Sequence, residues 1–343
     1  MSRTTTFLAS GGVLLFLVAA CSGSGESESG GGGDATCAEY VNALVSYADR
    51  CGDGGRASAS TRARFAAACA RGISAPGTTN AAAQVSACSK KLAAASCGED
   101  VDCEIKGGTL EDGAACGERY QCKSGACETE PGSQCGKCAP RVAIGGACTS
   151  ASRCVEGASC VTRDGDTGTC VATKIAKAGE DCIGQSGEII RCDTGLHCSY
   201  SRGETICKAP GGAGSECSSR NDCTEGLSCV AGQCAPPLVE GADCNGDGCG
   251  KGLACSADEK CAPIVFVKAG EACDSNRRCE NGRCKGFSIA PGPGGETKVT
   301  PGKCVDPLPD GAACSNDEGA PECDLFAACI DGKCTPADPA QCK

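Results

Sequence analysis

The stretch Gly214-Ser-Glu-Cys217-Ser-Ser-Arg-Asn-Asp-Cys223-Thr-Glu-Gly-Leu-Ser-Cys229-Val-Ala-Gly-Gln-Cys234 decides how this chain is built. Its four cysteines are spaced 6, 6 and 5 residues apart, and small or polar residues fill the gaps. Such a unit has too few large apolar side chains to bury a core. Below about 40 residues a folded segment usually needs disulfides, a metal or a partner to hold its shape.

Variants of the stretch occur seven times between Gly113 and Cys334, with first cysteines at 116, 148, 182, 217, 244, 273 and 314. The periods are 32, 34, 35, 27, 29 and 41 residues. A glycine stands three residues before each first cysteine, from Gly113 and Gly145 through to Gly311, which suits a sharp turn with positive φ. Gly-Leu-x-Cys leads to the third cysteine at Cys198, Cys229 and Cys255, and Gly-x-Cys closes five units. Loops inside the units vary, yet 10 or 12 residues always separate the last cysteine of one unit from the first of the next. Variable loops with constant joints are the pattern of a stacked array. The joints hold most of the remaining apolar residues, among them Val142, Ile144, Ile175, Leu238, Val239 and Leu308, which are expected to lie against the disulfides of adjoining units. The joint at 208–214 has no large apolar residue and reads as a hinge.

Composition agrees. The 343 residues include 37 cysteines, no tryptophan and only 3% aromatics. Aromatic side chains dominate ordinary cores, so cross-links must replace them here. A cysteine fraction above about 8–10% in a secreted chain marks a disulfide scaffold. The net charge of −11 argues against a nucleic acid or anionic-membrane partner, since both need clustered Lys and Arg. Acidic turns keep a core-poor protein soluble. Asp164-Gly-Asp166 and Asn245-Gly-Asp247 are the nearest approach to calcium loops, but neither continues into a twelve-residue loop ending in Glu.

The N-terminus reads as an address. Arg3 is followed by a mostly apolar run from Phe7 to Ala20, short for a membrane span and suited to a signal peptide. It ends in Leu17-Val18-Ala19-Ala20-Cys21, which resembles the bacterial lipobox. The resemblance implies removal of residues 1–20, lipidation of Cys21 and a lipid anchor in a membrane; Ser22 in that position implies the outer membrane. Setting Cys21 aside leaves 36 cysteines, an even number that can form 18 bridges. Residues 21–36 form a Gly/Ser-rich tether, with a reach of roughly 20 Å over its polar part.

Residues 37–107 have a helical period. Cys37, Tyr40, Val41, Leu44, Ala48 and Cys51 share one face, and Gly52 is placed to stop that helix. A second helix is expected over Thr61 to Arg71, capped by Ser60 and ended by Gly72, and a third after Asn80 with Val85, Cys88 and Leu92 inward. Cysteines 37, 51, 69, 88, 97 and 103 staple this bundle, and fifteen pairings are open. Its expected role is a structural cap on the array of residues 108–343. The fold class is therefore small disulfide-rich: a stapled helical bundle, then a tandem array of turn-rich, short-hairpin cysteine modules.

The grammar Gly-x-x-Cys-x5-Cys-x2-Gly-Leu-x-Cys-x4-Cys resembles the Dickkopf N-terminal cysteine-rich domain and, more loosely, the EB module. The whole arrangement, with Gly108-Thr-Leu-Glu-Asp-Gly-Ala-Ala-Cys116 and Cys135-Gly-Lys-Cys138 leading into the repeats, is similar to the cysteine-rich lipoproteins of myxobacteria. That likeness concerns architecture and carries no activity. Within a unit the expected pairing is first to third and second to fourth, thus Cys217 with Cys229 and Cys223 with Cys234. Cys135 and Cys342 are extra, and locally rearranged pairing is expected in the terminal units. The sixth unit carries an excursion, Lys285 to Lys303, read as the longest irregular loop; Phe287 and Ile289 make it the candidate contact.

Chemical alternatives find little support. Cys135-Gly-Lys-Cys138 lacks both the βαβ context of a redox motif and the second CxxC of a zinc ribbon. One histidine, His197, rules out most histidine-based triads and zinc sites. The expectation is a non-enzymatic, lipid-anchored extracytoplasmic scaffold, without cofactor or metal, that presents disulfide modules to an unknown protein or glycan partner at the cell surface. The alternative is an inhibitor or antagonist of an extracellular enzyme or receptor acting through the exposed loop.

Overall fold

The structure, a computed structural model, describes residues 33–51, 57–97, 99, 101–129, 133–149, 152–162, 167–184, 188–201, 204–244, 248–291, 297–317 and 320–343. Three helices, α1 (Gly33–Cys51), α2 (Ala59–Ile73) and α3 (Ala81–Ala94), precede a succession of short strands and three-residue 3-10 turns. Among the described residues no helix is long and apolar enough to cross a membrane.

The helices form where the apolar period placed them, with different ends. α1 begins at Gly33, so residues 33–36 of the expected tether are helical, and Asp34 sits in the first turn where the helix dipole favours an anion. Gly52 lies outside the described residues. Ser58, not Ser60, caps α2: its hydroxyl accepts from the Thr61 amide at 3.1 Å. Gly72 does not end α2, which runs on to Ile73. Its missing side chain makes room for Tyr120, whose hydroxyl would stand 1.8 Å from a Cβ at that position. Bridges Cys37–Cys69, Cys51–Cys97 and Cys88–Cys103 staple the bundle around Ile73, Val85, Tyr47 and Leu92.

Each of the seven units holds two bridges, and the remaining one, Cys135–Cys342, brings the total to 18. In the fourth unit Cys217 bonds Cys229 and Cys223 bonds Cys234, and the same order holds in its neighbours. The glycine before each first cysteine has φ between 78° and 88°. In that conformation its N–H donates to the carbonyl of the unit's last cysteine, as from Gly214 to Cys234 at 2.8 Å and from Gly311 to Cys334 at 2.7 Å. The last cysteine returns a bond to the residue after the glycine, as from Cys234 to the Ser215 carbonyl at 2.8 Å. A unit is thus closed by two sulfur bridges and a reciprocal backbone pair.

The joints follow a second rule. The residue six before each first cysteine pairs in parallel with the second cysteine of the coming unit, as in Leu110↔Cys122, Val142↔Cys154, Leu238↔Cys249 and Leu308↔Cys323. The two 12-residue joints extend this bridge into short parallel ladders, Thr173–Ala176 on Ile189–Cys192 and Val265–Val267 on Arg277–Cys279. Leu110, Val142 and Val267 pack on the disulfides ahead of them. Other joint residues depart from expectation: Ile144, Ile175 and Val239 are exposed, because the extended chain alternates and only one face meets the sulfurs.

Three expectations are corrected. The extra cysteines do not rearrange locally. Cys135 and Cys342 bond each other across 207 residues and close the array into a covalent ring. The helical bundle is not an end cap but a hub inside that ring. Gln121 donates to the Pro76 carbonyl at 2.7 Å, Arg50 pairs with Glu225, Asp49 with Lys251, and Lys106 with Glu156. On the far side Ser60 donates to the Glu280 carbonyl at 2.9 Å, and Arg71 to the Ala337 carbonyl at 2.8 Å. The first, second, fourth, fifth, sixth and seventh units, and the segment just after the seventh, all touch the bundle. Nor is the joint at 208–214 a hinge. Gly211 makes the same parallel bridge to Cys223 with main-chain atoms, donating to the Asp222 carbonyl at 2.7 Å and accepting from Thr224 at 2.9 Å.

Candidate interaction site

The residues singled out from sequence are widely separated. Cys21 and both calcium-like turns lie outside the described residues. Cys217, Cys223, Cys229 and Cys234 are the bonded interior of one unit. Cys217, Cys223 and Cys234 bring their sulfurs within 4.8 Å of one another, but a disulfide sulfur offers no thiolate to a metal. Cys135 and Cys138 belong to different bridges, Cys135–Cys342 and Cys122–Cys138, so the CxxC is not a dithiol pair. Among its described residues the excursion in the sixth unit is not irregular: Ser288–Pro291 pairs antiparallel with Thr297–Thr300, with Ile289 opposite Val299. Phe287, at the base of this hairpin, is half-buried.

The single histidine is part of a structural network. Asp222, 1% exposed, precedes the second cysteine of its unit. Its Oδ2 accepts from the amides of Ser218 at 2.7 Å and Ser219 at 2.8 Å, and its Oδ1 accepts from His197 Nε2 at 2.7 Å. Burial alone would raise the Asp222 carboxyl. Hydrogen bonds from the Ser218 and Ser219 amides, from His197 and from the Ser218 hydroxyl outweigh burial and hold it well below the ordinary carboxylate range. Gln121 does the same work in the first unit: its Oε1 accepts from the Gly117 and Glu118 amides at 2.7 and 2.8 Å, and its Nε2 reaches the hub. One side chain thus closes a turn at one end and docks a neighbour at the other. The third unit is fastened to the fourth by His197, and the first to the hub by Gln121.

A cleft of about 580 Å³ opens where α2, the sixth unit and the seventh unit meet. Ion pairs cross it: Arg64 of α2 with Asp324, and Arg283 of the sixth unit with Glu322 of the seventh. Phe266, Val305 and Leu325, three of the exposed large apolar side chains, converge on its walls. Behind it Phe65 of α2 meets Phe326 edge to face, with ring centroids 4.6 Å apart. Sequence reading missed this site because its walls come from segments around 58–65, 266–285 and 305–325, each unremarked alone.

The chain is similar to an adhesion glycoprotein. Over 206 residues, 58% of each chain, it is 27% identical to cell-cell adhesion glycoprotein 64 of Heterostelium pallidum. It therefore spans under two thirds of that relative's length. No family model matches the chain. No solved structure matches it either.

Proposed function

We propose that this protein is a non-enzymatic surface scaffold that adheres to a protein or glycan partner and is held to its membrane by lipid on Cys21. The observation that carries the reading is the likeness to a protein named for cell-cell adhesion. Its physical support is a closed ring of disulfide units around a helical hub, a framework held by cross-links where the core is small. His197 and the buried Asp222 are hydrogen-bonded into the junction of the third and fourth units. In this reading residues 1–20 are a signal peptide, 21–32 lead from the lipid to the hub, the hub runs from the start of α1 at residue 33 to 107, and 108–343 are the ring. The destination is the outer membrane or cell surface.

Two measurements test it. Beads coated with residues 22–343 are expected to adhere to cells of the producing organism and to lose adherence on full reduction; beads that adhere to no cell sink the adhesion reading. The intact mass of protein made with its own N-terminus is expected to show an acylated Cys21, and Cys21→Ser should move the protein from the detergent phase to the aqueous phase. An unmodified Cys21 removes the anchor. The alternative, an inhibitor acting through the sixth-unit excursion, is favoured by the pairing of that segment into a hairpin arm. Deleting 288–300 separates the two: lost inhibition of an extracellular enzyme with the ring intact supports the inhibitor, whereas undiminished adhesion removes the hairpin from the contact.

A further inference from the structure

The cleft between α2 and the last two units has a lining with an unusual balance. Its ionisable groups are four cations and four carboxylates. Arg64 is joined to Asp324 and Arg283 to Glu322. With Arg278 and Lys285 beside Asp274 and Asp306, the lining as a whole has no net sign. A phosphate or a uronate entering here meets carboxylates, and a polycation meets guanidinium groups. A neutral hydroxyl meets neither penalty: it donates to a carboxylate and accepts from the adjacent guanidinium at once. The Arg283–Glu322 pair stays accessible, with the two side chains 55% and 66% exposed.

The apolar part fits the same ligand. Phe266 lies opposite Arg278 in the parallel ladder, so an exposed ring and a planar polar fork stand side by side on one wall. Val305 and Leu325 complete a surface for the C–H faces of a sugar ring. About 580 Å³ lies within the roughly 300–1,000 Å³ of ordinary ligand clefts. The walls include Cys279, Cys284 and Cys323, each locked in a bridge, so little ordering remains to be lost on binding.

We infer that this cleft binds a neutral oligosaccharide, through hydroxyl bonds to the Arg283–Glu322 pair and stacking on Phe266. The inference rests on the reading of the chain as a surface interaction scaffold and names the site and chemistry of its contact. To test it, oxidised residues 22–343 are titrated calorimetrically with neutral gluco-, manno- and galacto-oligosaccharides and with a uronate oligosaccharide. A neutral series should bind, the uronate should not, and Phe266→Ala and Glu322→Gln should each weaken binding about tenfold or more. Tyr200→Ser, at an exposed position on the third unit, should leave it unchanged. Disulfide mapping and helix circular dichroism establish that the variants are folded. Binding of no neutral series, a preference for the uronate, or wild-type affinity in both cleft variants overturns the inference. Beads bearing the two cleft variants separate this failure from the wider one. If they adhere to cells like wild type, the cleft is not the contact and the adhesion reading stands. If wild-type beads adhere to nothing while the neutral sugar binds in the cleft, the cleft stands and the adhesion reading falls.

Discussion

The hub and the ring solve one problem, stability without aromatic bulk, in different ways. The hub uses apolar stripes on three helices, and its bridges fasten a core that already exists: Ile73, Val85, Tyr47 and Leu92 are all under 9% exposed. The ring has almost no such core. Most of its buried apolar residues are the cysteines themselves, and each unit adds the same reciprocal backbone pair between its opening turn and its closing cysteine. The hub should therefore fail through loss of packing, and the ring through loss of cross-links.

The largest effect is expected at the clasp. Closing a loop of 207 residues is worth about 5 kcal/mol at most by the chain-entropy relation, and less here because the hub contacts already shorten the effective loop. The paired substitution Cys135→Ser with Cys342→Ser should free the seventh unit from the first. Amide exchange should rise there and around the Arg71–Ala337 contact while the hub stays protected. Cys135 is also exposed while its counterparts within the units are buried or half-buried, so mild dithiothreitol should cleave this bridge before the rest. Wild-type exchange in the paired variant would mean that the ring needs no clasp.

The converse experiment breaks the hub. Leu92 is 3% exposed, and Leu92→Ala should cost about 2–5 kcal/mol. Circular dichroism at 222 nm reads the three helices with little interference from the ring, and its melting midpoint should fall. Disulfide mapping of the seven units should be unchanged. Scrambled pairing in the ring would show that the units depend on the hub to form.

The difference between the regions also explains what was legible in the sequence. The helices, the four-cysteine grammar and the turn glycines are local patterns, and each appears where its spacing put it. The closure is not local. Cys135 and Cys342 are one surplus cysteine in each terminal unit, and only their joint parity hinted at a bond. The hub position was hidden for another reason. Its contacts come from scattered polar residues such as Ser60, Arg71 and Asp49, which follow no period and look like ordinary surface. Gly211 misled because the joint bridge is made by main-chain atoms, which a side-chain inventory does not register. The cleft was invisible since three distant segments build it.

A smaller effect sharpens the comparison at the junction of the third and fourth units. Asp222→Ala leaves the Ser218 and Ser219 amides without their buried acceptor, a cost of about 1–3 kcal/mol. Amide exchange should rise in those two units and not in the hub. The pH dependence has a definite sign. The Asp222 carboxyl is depressed in the folded protein, so its contribution is complete above the ordinary carboxylate value of about 4 and fades progressively as pH falls below it. Protection of the Ser218 and Ser219 amides that did not weaken in acid would remove Asp222 from this role.

The smallest effect lies where ring and hub meet through a single side chain. Three residues before the third cysteine, Gly157, Gly195, Gly226 and Gly252 have φ between 76° and 87°. In the seventh unit that position is Phe326, with φ 63°, a conformation that costs a bulky residue about 1 kcal/mol. The ring packs edge to face on Phe65 of α2, and a pair of that kind returns roughly 0.5–1.5 kcal/mol beyond the area it buries. Glycine thus suits the ring, and phenylalanine suits the contact with the hub. Two substitutions separate the terms. Phe326→Ala removes the contact and keeps most of the strain, while Phe326→Gly removes both. The glycine variant should therefore be about 1 kcal/mol more stable than the alanine variant by denaturant unfolding, although both lose the aromatic pair. Equal stabilities would mean that the left-handed turn carries no strain, and that this departure from the glycine pattern needs another cause.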